Sequence, residues 1–328
     1  MRFFKGVVDS DDLPLNISRE TMQDSALMRK LSSVLAKKAV KFLQERAKID
    51  NEAYLSFYQE FNQFIKEGVY ADFENKNEVA KLLRFETSRG EPGELVSLDD
   101  YIGRMGSEQE QEIYWLLAPS RDSALSSAYM EAFKAKGVEV VLLYSTVDEF
   151  VMNNLMNYQG KTLVSAEAAK LDAGEAEAAS SLGGDEAEAF AAWMSGAVDG
   201  VKEVKLSSRL VDSPAIIVGH ESAGMRRMMS FAESGRAPAL APQSVEINGG
   251  HPIIKGLAKA REANPELATN VATAVFNTAL ISAGLLDDPR TMLPNVNAIL
   301  QHALEGQAEG GAAAAEPAAA EPAAEGSK

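Results

Sequence analysis

The 328-residue chain contains no cysteine, only two tryptophans and only three histidines. Without a thiol there is no disulfide framework, no cysteine-ligated zinc or iron–sulfur centre and no cysteine nucleophile, and a reducing compartment is expected. His220, His251 and His302 stand far apart with no second histidine at ligand spacing, so they read as surface side chains and no metal site is expected. No stretch approaches the roughly 18 consecutive apolar residues of a membrane helix. The start, Met1-Arg2-Phe3-Phe4-Lys5, turns polar too soon for a signal peptide. Neither GxxxxGK[ST] nor GxGxxG occurs, so no loop of this chain is expected to cradle a nucleotide's phosphates. Basic residues are also scarce: 32 against 48 acids, for a formal charge of −16. Nucleic-acid binding needs clustered Lys and Arg, so neither nucleic acid nor membrane is an expected partner.

What is present is unevenly distributed. From Glu167 to Glu188 seven acids face one lysine, and from Glu305 to Lys328 five acids face one lysine, which together hold −10 of the −16. The first segment is rich in Ala, Glu and Gly, and the second carries two Glu-Pro-Ala-Ala units. Both read as solvated, weakly structured chain, an acidic linker over 166–183 and a disordered tail over 306–328.

Between them the hydrophobic period changes. Leu27, Leu31, Val34, Leu35, Phe42 and Leu43 recur at three and four, predicting a helix from Asp24 to Lys48. Tyr54, Phe57, Tyr58, Phe61, Phe64 and Ile65 predict a second, ending near Gly68, and the two together form an antiparallel hairpin over 24–85. Over 86–165, the run Ile113–Leu117, a helix Ser123–Lys136 and the run Val138–Leu143 predict a βαβ unit with parallel strands, followed by a helix Asp148–Tyr158. From 184 to 305 the pattern predicts a helix Glu186–Ala197, a strand around Val204 and Leu206, a strand Pro214–Val218 and a Met-rich helix Glu221–Ser234. Two final helices carry stripes of Leu267, Val271, Val275, Phe276 and Leu280, then Met292, Val296, Ile299, Leu300 and Ala303. Pro265 opens the first with Gly284 as its stop, and Asp288-Pro289 suits N-cap and N1 of the second. A terminal helix pair has too little core of its own, so a four-helix bundle across a two-fold axis is the expected arrangement. The fold class is thus α+β or α/β multidomain: a helical hairpin plus a small αβα sandwich, then a mixed α/β domain ending in a dimerising helix pair.

Enzyme motifs are few. Gly219-His220-Glu221-Ser222-Ala223-Gly224 approximates a nucleophile elbow, but Ser222 falls three residues after the first glycine where that turn requires two. A strand-to-helix turn is the preferred reading. Met225, Met228, Met229 and Phe231 cluster between Arg226-Arg227 and Ser234-Gly235. Thioethers adapt to many apolar shapes, so this helix reads either as packed core or as an adaptable binding surface.

The stretch Lys5-Gly6-Val7-Val8-Asp9-Ser10-Asp11-Asp12-Leu13-Pro14-Leu15-Asn16-Ile17-Ser18-Arg19-Glu20 is too particular for a generic loop. It closely resembles the hallmark middle-domain sequence of the heat-shock protein 90 chaperones. The resemblance continues through Leu82–Ser88, Ser97–Tyr101, Tyr114–Pro119 and Gly284–Arg290, and covers the chain from Lys5 to about Leu304. Ser25–Leu31 and Tyr114–Arg121 look most like the mitochondrial branch, with the bacterial branch next.

The resemblance implies an ATP-dependent chaperone acting as a homodimer on unfolded or partly folded clients. Positions 1–23 would close the large middle-domain segment. Family members bind ATP and Mg in a separate N-terminal domain, which a middle-domain arginine and a glutamine one turn later contact at the γ-phosphate. Those positions match Arg19 and Gln23, so the chain alone is expected to be inactive as an ATPase. Client contacts map onto Glu149, Phe150 and Asn153, with Phe150 where bacterial proteins carry Trp, and onto Met225, Met228 and Met229. Dimer contacts map onto Leu267, Val271, Val275, Leu280, Met292, Val296, Ile299 and Leu300. A mitochondrial matrix setting is implied, with the bacterial cytoplasm or another organelle as alternatives. The ending Glu325-Gly326-Ser327-Lys328 lacks the Met-Glu-Glu-Val-Asp and Lys-Asp-Glu-Leu ends of other branches, so co-chaperones that capture such ends are not expected. A nucleotide-independent dimeric holdase or scaffold is the alternative function.

Overall fold

The computed structural model describes residues 3–8, 26–106, 109, 111–174, 182–222, 224–226, 240–286 and 288–313. The chain forms a mixed α/β structure with two mixed sheets, divided between two compact units. The first holds residues up to Gly174 together with Gly224–Ser234, and the second holds Glu175–Ala223 with the chain from Gly235 onward.

In the first unit, helix α1 (Ala26–Ile49) and helix α2 (Asn51–Ala71) are separated by Asp50 alone. The Asp50 carboxylate accepts the Ala53 N–H at 3.0 Å and so caps α2 while breaking the run. The helices lie antiparallel. Ala36 and Lys38 border a groove shared with Glu67 and Ala71, while Leu43 and Arg46 lie beside Ala53 and Phe57. Their apolar stripes, Val40, Leu43 and Ala47 against Tyr54, Tyr58, Ile65 and Val69, enter one core with the short helix α3 (Lys76–Ala80).

The five-stranded sheet takes the order β1-β3-β2-β5-β4, from Glu86–Thr87 (β1), Glu112–Leu117 (β2), Val141–Leu143 (β3), Asn157–Tyr158 (β4) and Lys161–Ser165 (β5). Strand β2 runs parallel to both neighbours, pairing Trp115 with Val141 and Ile113 with Leu163. The expected parallel pairing of the two runs is therefore present. Alternation sends Ile113, Trp115 and Leu117 toward the helical core, and Tyr114 meets the Phe133 ring edge-on at 4.8 Å between centroids. A central parallel strand covered on both faces explains why Ile113–Leu116 is apolar throughout.

Several boundaries differ from the sequence reading. The expected helix Ser123–Lys136 is three pieces: α5 (Arg121–Leu125), a 3-10 turn Ala128–Met130 and α6 (Glu131–Ala135). Ser126 Oγ donates to the Asp122 carbonyl at 2.7 Å and Ser127 Oγ accepts the Tyr129 N–H, so two hydroxyls compete with the helix ladder. The strand expected from Val138 begins only at Val141, because Gly137 turns at φ 63° and the Val138 N–H bonds back to the Phe133 carbonyl at 2.8 Å. Helix α4 (Leu98–Arg104), opened by a reciprocal Ser97–Asp100 capping box, completes the unit beside α7 (Thr146–Leu155), which ends at Met156 with φ 58°.

The second unit contains α8 (Gly184–Ala197) and a three-stranded sheet, β6 (Val201–Leu206), β7 (Ala215–Val218) and β8 (Gln243–Ile247). Strand β8 is central, parallel to β6 and antiparallel to β7. Helices α9 (Pro252–Ala263) and α10 (Pro265–Ser282) follow, with Asn264 ending one and capping the next through its side chain and Leu267 N–H at 3.2 Å. Fully buried Ala268, Ala272 and Ala279 let α10 approach β7 closely. After Asp288, Pro289–Met292 forms a 3-10 turn where an α-helix start was expected. Helix α11 then runs from Leu293 to Ala313, past the expected tail boundary at 306.

Candidate functional site

Helix α7 carries three of the expected client-contact residues. Ser145 caps it by accepting the Val147 N–H at 3.3 Å, and Asp148 and Glu149 in the first turn suit its positive end. The residues differ in access: Glu149 is buried at 4% exposure, Phe150 is half-buried and Asn153 is exposed. Beside them Tyr144, Val147 and Met156 are exposed, so the outward side of α7 and its flanks is substantially apolar.

Two lysines fix α7 in place. Lys66 of α2 reaches Asp148 at 2.5 Å, with both side chains largely buried. Burial pushes the Asp148 carboxyl above its ordinary range, against the pull of Lys66. At the other end Lys76 donates to the Asn154 carbonyl at 2.9 Å, a cation at the helix C-terminus, and Asn154 Nδ2 donates to the Phe150 carbonyl at 2.9 Å. Buried Val151, Met152 and Leu155 supply the apolar side. The sequence period had shown the helix, but the Lys66–Asp148 tie spans two elements and has no local signature.

Of the expected Met-rich helix Glu221–Ser234, the described Glu221 and Ser222 are not helical, whereas Gly224, Met225 and Arg226 are helical and group with the first unit. Gly224 is buried against the first turn of α7. A Cβ placed there would overlap the Glu149 carboxylate and lie 3.3 Å from the Thr146 methyl. The structure thus brings Met225 and the Glu149 turn to one place, although 76 residues separate them. Met228 and Met229 lie outside the described residues, as do Arg19 and Gln23.

The expected dimer residues divide. Val275 and Leu280 are buried within the chain, whereas Leu267, Val271, Met292, Val296 and Ile299 are half-buried. Leu300 is 56% exposed and shares one side of α11 with Leu293 at 53% and Leu304 at 69%, spaced seven and four apart.

Around Ser222 the described residues form a turn. Gly219 takes a positive φ of 67° and His220 Nδ1 lies 2.9 Å from the Glu221 carbonyl, which forms a tight turn after β7. Burial, aided by nearby Arg209, holds the His220 imidazole below its ordinary pKa. His251 is the N-cap of α9, accepting the Ile253 N–H at 3.1 Å, so one of the three histidines has a structural task. Among the described residues no cluster of His, Asp and Glu could hold a metal ion, and no helix is long and apolar enough to cross a membrane.

The outward side of α7 thus presents exposed and half-buried apolar side chains on a helix tied by Lys66 and Lys76. The family profile described as Hsp90 protein matches residues 1–328, and the chain belongs to that family. It is 43% identical over 312 residues to the TNF receptor-associated protein 1 homolog, mitochondrial, of Dictyostelium discoideum, which covers 93% of this chain and 44% of that protein. It is 41% identical over 310 residues to Chaperone protein HtpG of Desulfitobacterium hafniense, covering 93% of this chain and 50% of the relative. Against Heat shock protein 75 kDa, mitochondrial, of Bos taurus, identity is 39% over 322 residues, covering 93% and 45%. The chain spans about half the length of these relatives.

Proposed function

We propose that the chain is the client-contacting and dimerising part of an ATP-dependent chaperone. The observation that carries this is the outward side of α7: Phe150 and Asn153 stand accessible on a helix held by Lys66 and Lys76, with Gly224 packed against its first turn. Half-buried and exposed apolar groups on a rigid support can hold an unfolded segment without selecting its sequence. The resemblance of Glu149, Phe150, Asn153 and Met225 to client-contact positions in related chaperones supports the same reading.

In this proposal the helices α10 and α11 pair with those of a second copy. The exposed row Leu293, Leu300 and Leu304 fits that role, with Leu267, Val271, Met292, Val296 and Ile299 at its margin. Val275 and Leu280 contribute from beneath by holding α10 in shape. Arg19 would place its guanidinium against γ-phosphate oxygens, with Gln23 beside it, when ATP and Mg are bound by residues outside this chain. The setting is the mitochondrial matrix, with the bacterial cytoplasm second, in keeping with the names of the relatives.

The experiment is suppression of aggregation of a heat-denatured reporter enzyme by the purified chain, with and without ATP. Holding that is independent of added ATP, with no phosphate released, is expected of these residues alone. Failure to hold client removes the client reading, and ATP turnover by this chain removes the assignment of nucleotide binding to residues outside it.

A further inference from the structure

Glu149 is a surface-type residue in the first turn of a helix that has Phe150 half-buried and Asn153 exposed, yet it is 4% exposed. What covers it includes Gly224, buried so closely that the side chain of any other amino acid would collide with the Glu149 carboxylate. Arg226, two residues on, is itself 8% exposed, and Met225 is half-buried. Of these three consecutive residues, Gly224 lies directly against the turn that bears Glu149 and Thr146. A glycine is what permits the approach, since its backbone φ is ordinary and no turn requires it there.

We propose that Gly224–Arg226 is a latch that occupies the Glu149 end of the client surface, so that a client reaching Glu149 must first displace it. The latch and the client compete for the same turn of α7, and its release frees Met225 together with Glu149. Binding is then coupled to a local opening: the free chain holds the surface partly closed, and each client pays the free energy of opening before it gains contact. The Phe150 and Asn153 side chains remain accessible in the closed form, which gives a client a first foothold. This inference rests on the client-binding reading above.

The test uses the full chain with Gly224→Val, and Gly224→Ala as the milder wedge should valine impair folding. Two readouts are taken: the rate of trypsin cleavage after Arg226 and Arg227, and the affinity for a reduced, carboxymethylated protein that stays unfolded. If the open form is a minor state of about 10%, its release strengthens client binding by up to about tenfold. Cleavage accelerates by a similar factor, with alanine smaller in the same direction. Cleavage unchanged in a folded variant overturns the latch. Faster cleavage with unchanged client affinity overturns the competition. Faster cleavage when neither the native chain nor any variant binds client shows instead that the client reading has failed while the latch exists.

Discussion

Replacing Lys66 by methionine isolates the charge on which the placement of α7 depends. The methionine retains most of the apolar stem but leaves Asp148 without its cation, at a site where both side chains are about a tenth exposed. Removing one member of such a buried pair costs about 3–5 kcal/mol. The stranded carboxylate has one escape, taking up a proton, which costs about 1.36 kcal/mol for each pH unit above its unfolded value. With that value at 3.8, the charge penalty is limited to about 5 kcal/mol at pH 7.5 and about 1.6 kcal/mol at pH 5. The direction follows from linkage. Burial already raises the folded Asp148 pKa, so its contribution to stability is full below pH 3.8 and is lost as pH rises through the folded value. Losing Lys66 raises that value further and deepens the loss at neutral pH. Urea unfolding in a Trp193→Phe background, where buried Trp115 reports on the first unit, should show a destabilisation that shrinks steadily between pH 7.5 and pH 4. Replacing Asp148 by leucine as well should restore most of the stability, because an apolar pair needs no desolvation. A cost below about 1 kcal/mol at pH 7.5, or one insensitive to pH, would mean the pair behaves as a surface ion pair and does not hold α7.

Three further outcomes are expected. Tyr101→Phe deletes a buried hydroxyl that donates to the Glu139 carbonyl and accepts from Gln109 and the Tyr114 N–H; thermal or urea unfolding should show a loss of about 1–3 kcal/mol. Asn264→Ala removes the side-chain cap of α10 and a contact to His302 at 3.0 Å, so about 1 kcal/mol should be lost from the second unit without loss of client holding. Leu293→Asp with Leu300→Asp puts charge into the exposed row of α11. If α10 and α11 pair with a second copy as proposed, light scattering should report a dimer for the native chain and a monomer for the variant, with circular dichroism unchanged because neither side chain is buried in the single chain.

How much of this was legible in the sequence depended on the range of the interaction concerned. Helices α1, α2 and α10 carry long apolar stripes, α2 and α10 with side-chain caps at Asp50 and Asn264, and their periods located them to within a few residues. Strand β8 and helix α9 were not foreseen, although Val245 and Ile247 alternate with Ser244 and Glu246 and His251-Pro252 makes a helix start. The signals are short and sit between a Met-rich segment and a stronger helix, where a five-residue alternation is easily passed over. The break within Arg121–Ala135 is set by two serine hydroxyls, which read locally as ordinary helix residues. Around the candidate site, Phe150 and Asn153 were reached through resemblance. The burial of Glu149 beneath Gly224 was not, since it joins positions 75 residues apart and depends on the absence of a side chain.

The most direct test of the client surface is the affinity of the purified chain for an unfolded polypeptide, measured by fluorescence anisotropy for the native chain and for Phe150→Ser. Phe150 is half-buried and lies outside the Lys66–Asp148 tie, so the variant should keep its fold by circular dichroism and melting temperature. Removing most of an aromatic contact area of this kind should weaken binding by about 1–3 kcal/mol, or roughly fivefold to 150-fold. Equal affinities in two equally folded proteins would contradict the placement of the client surface on α7.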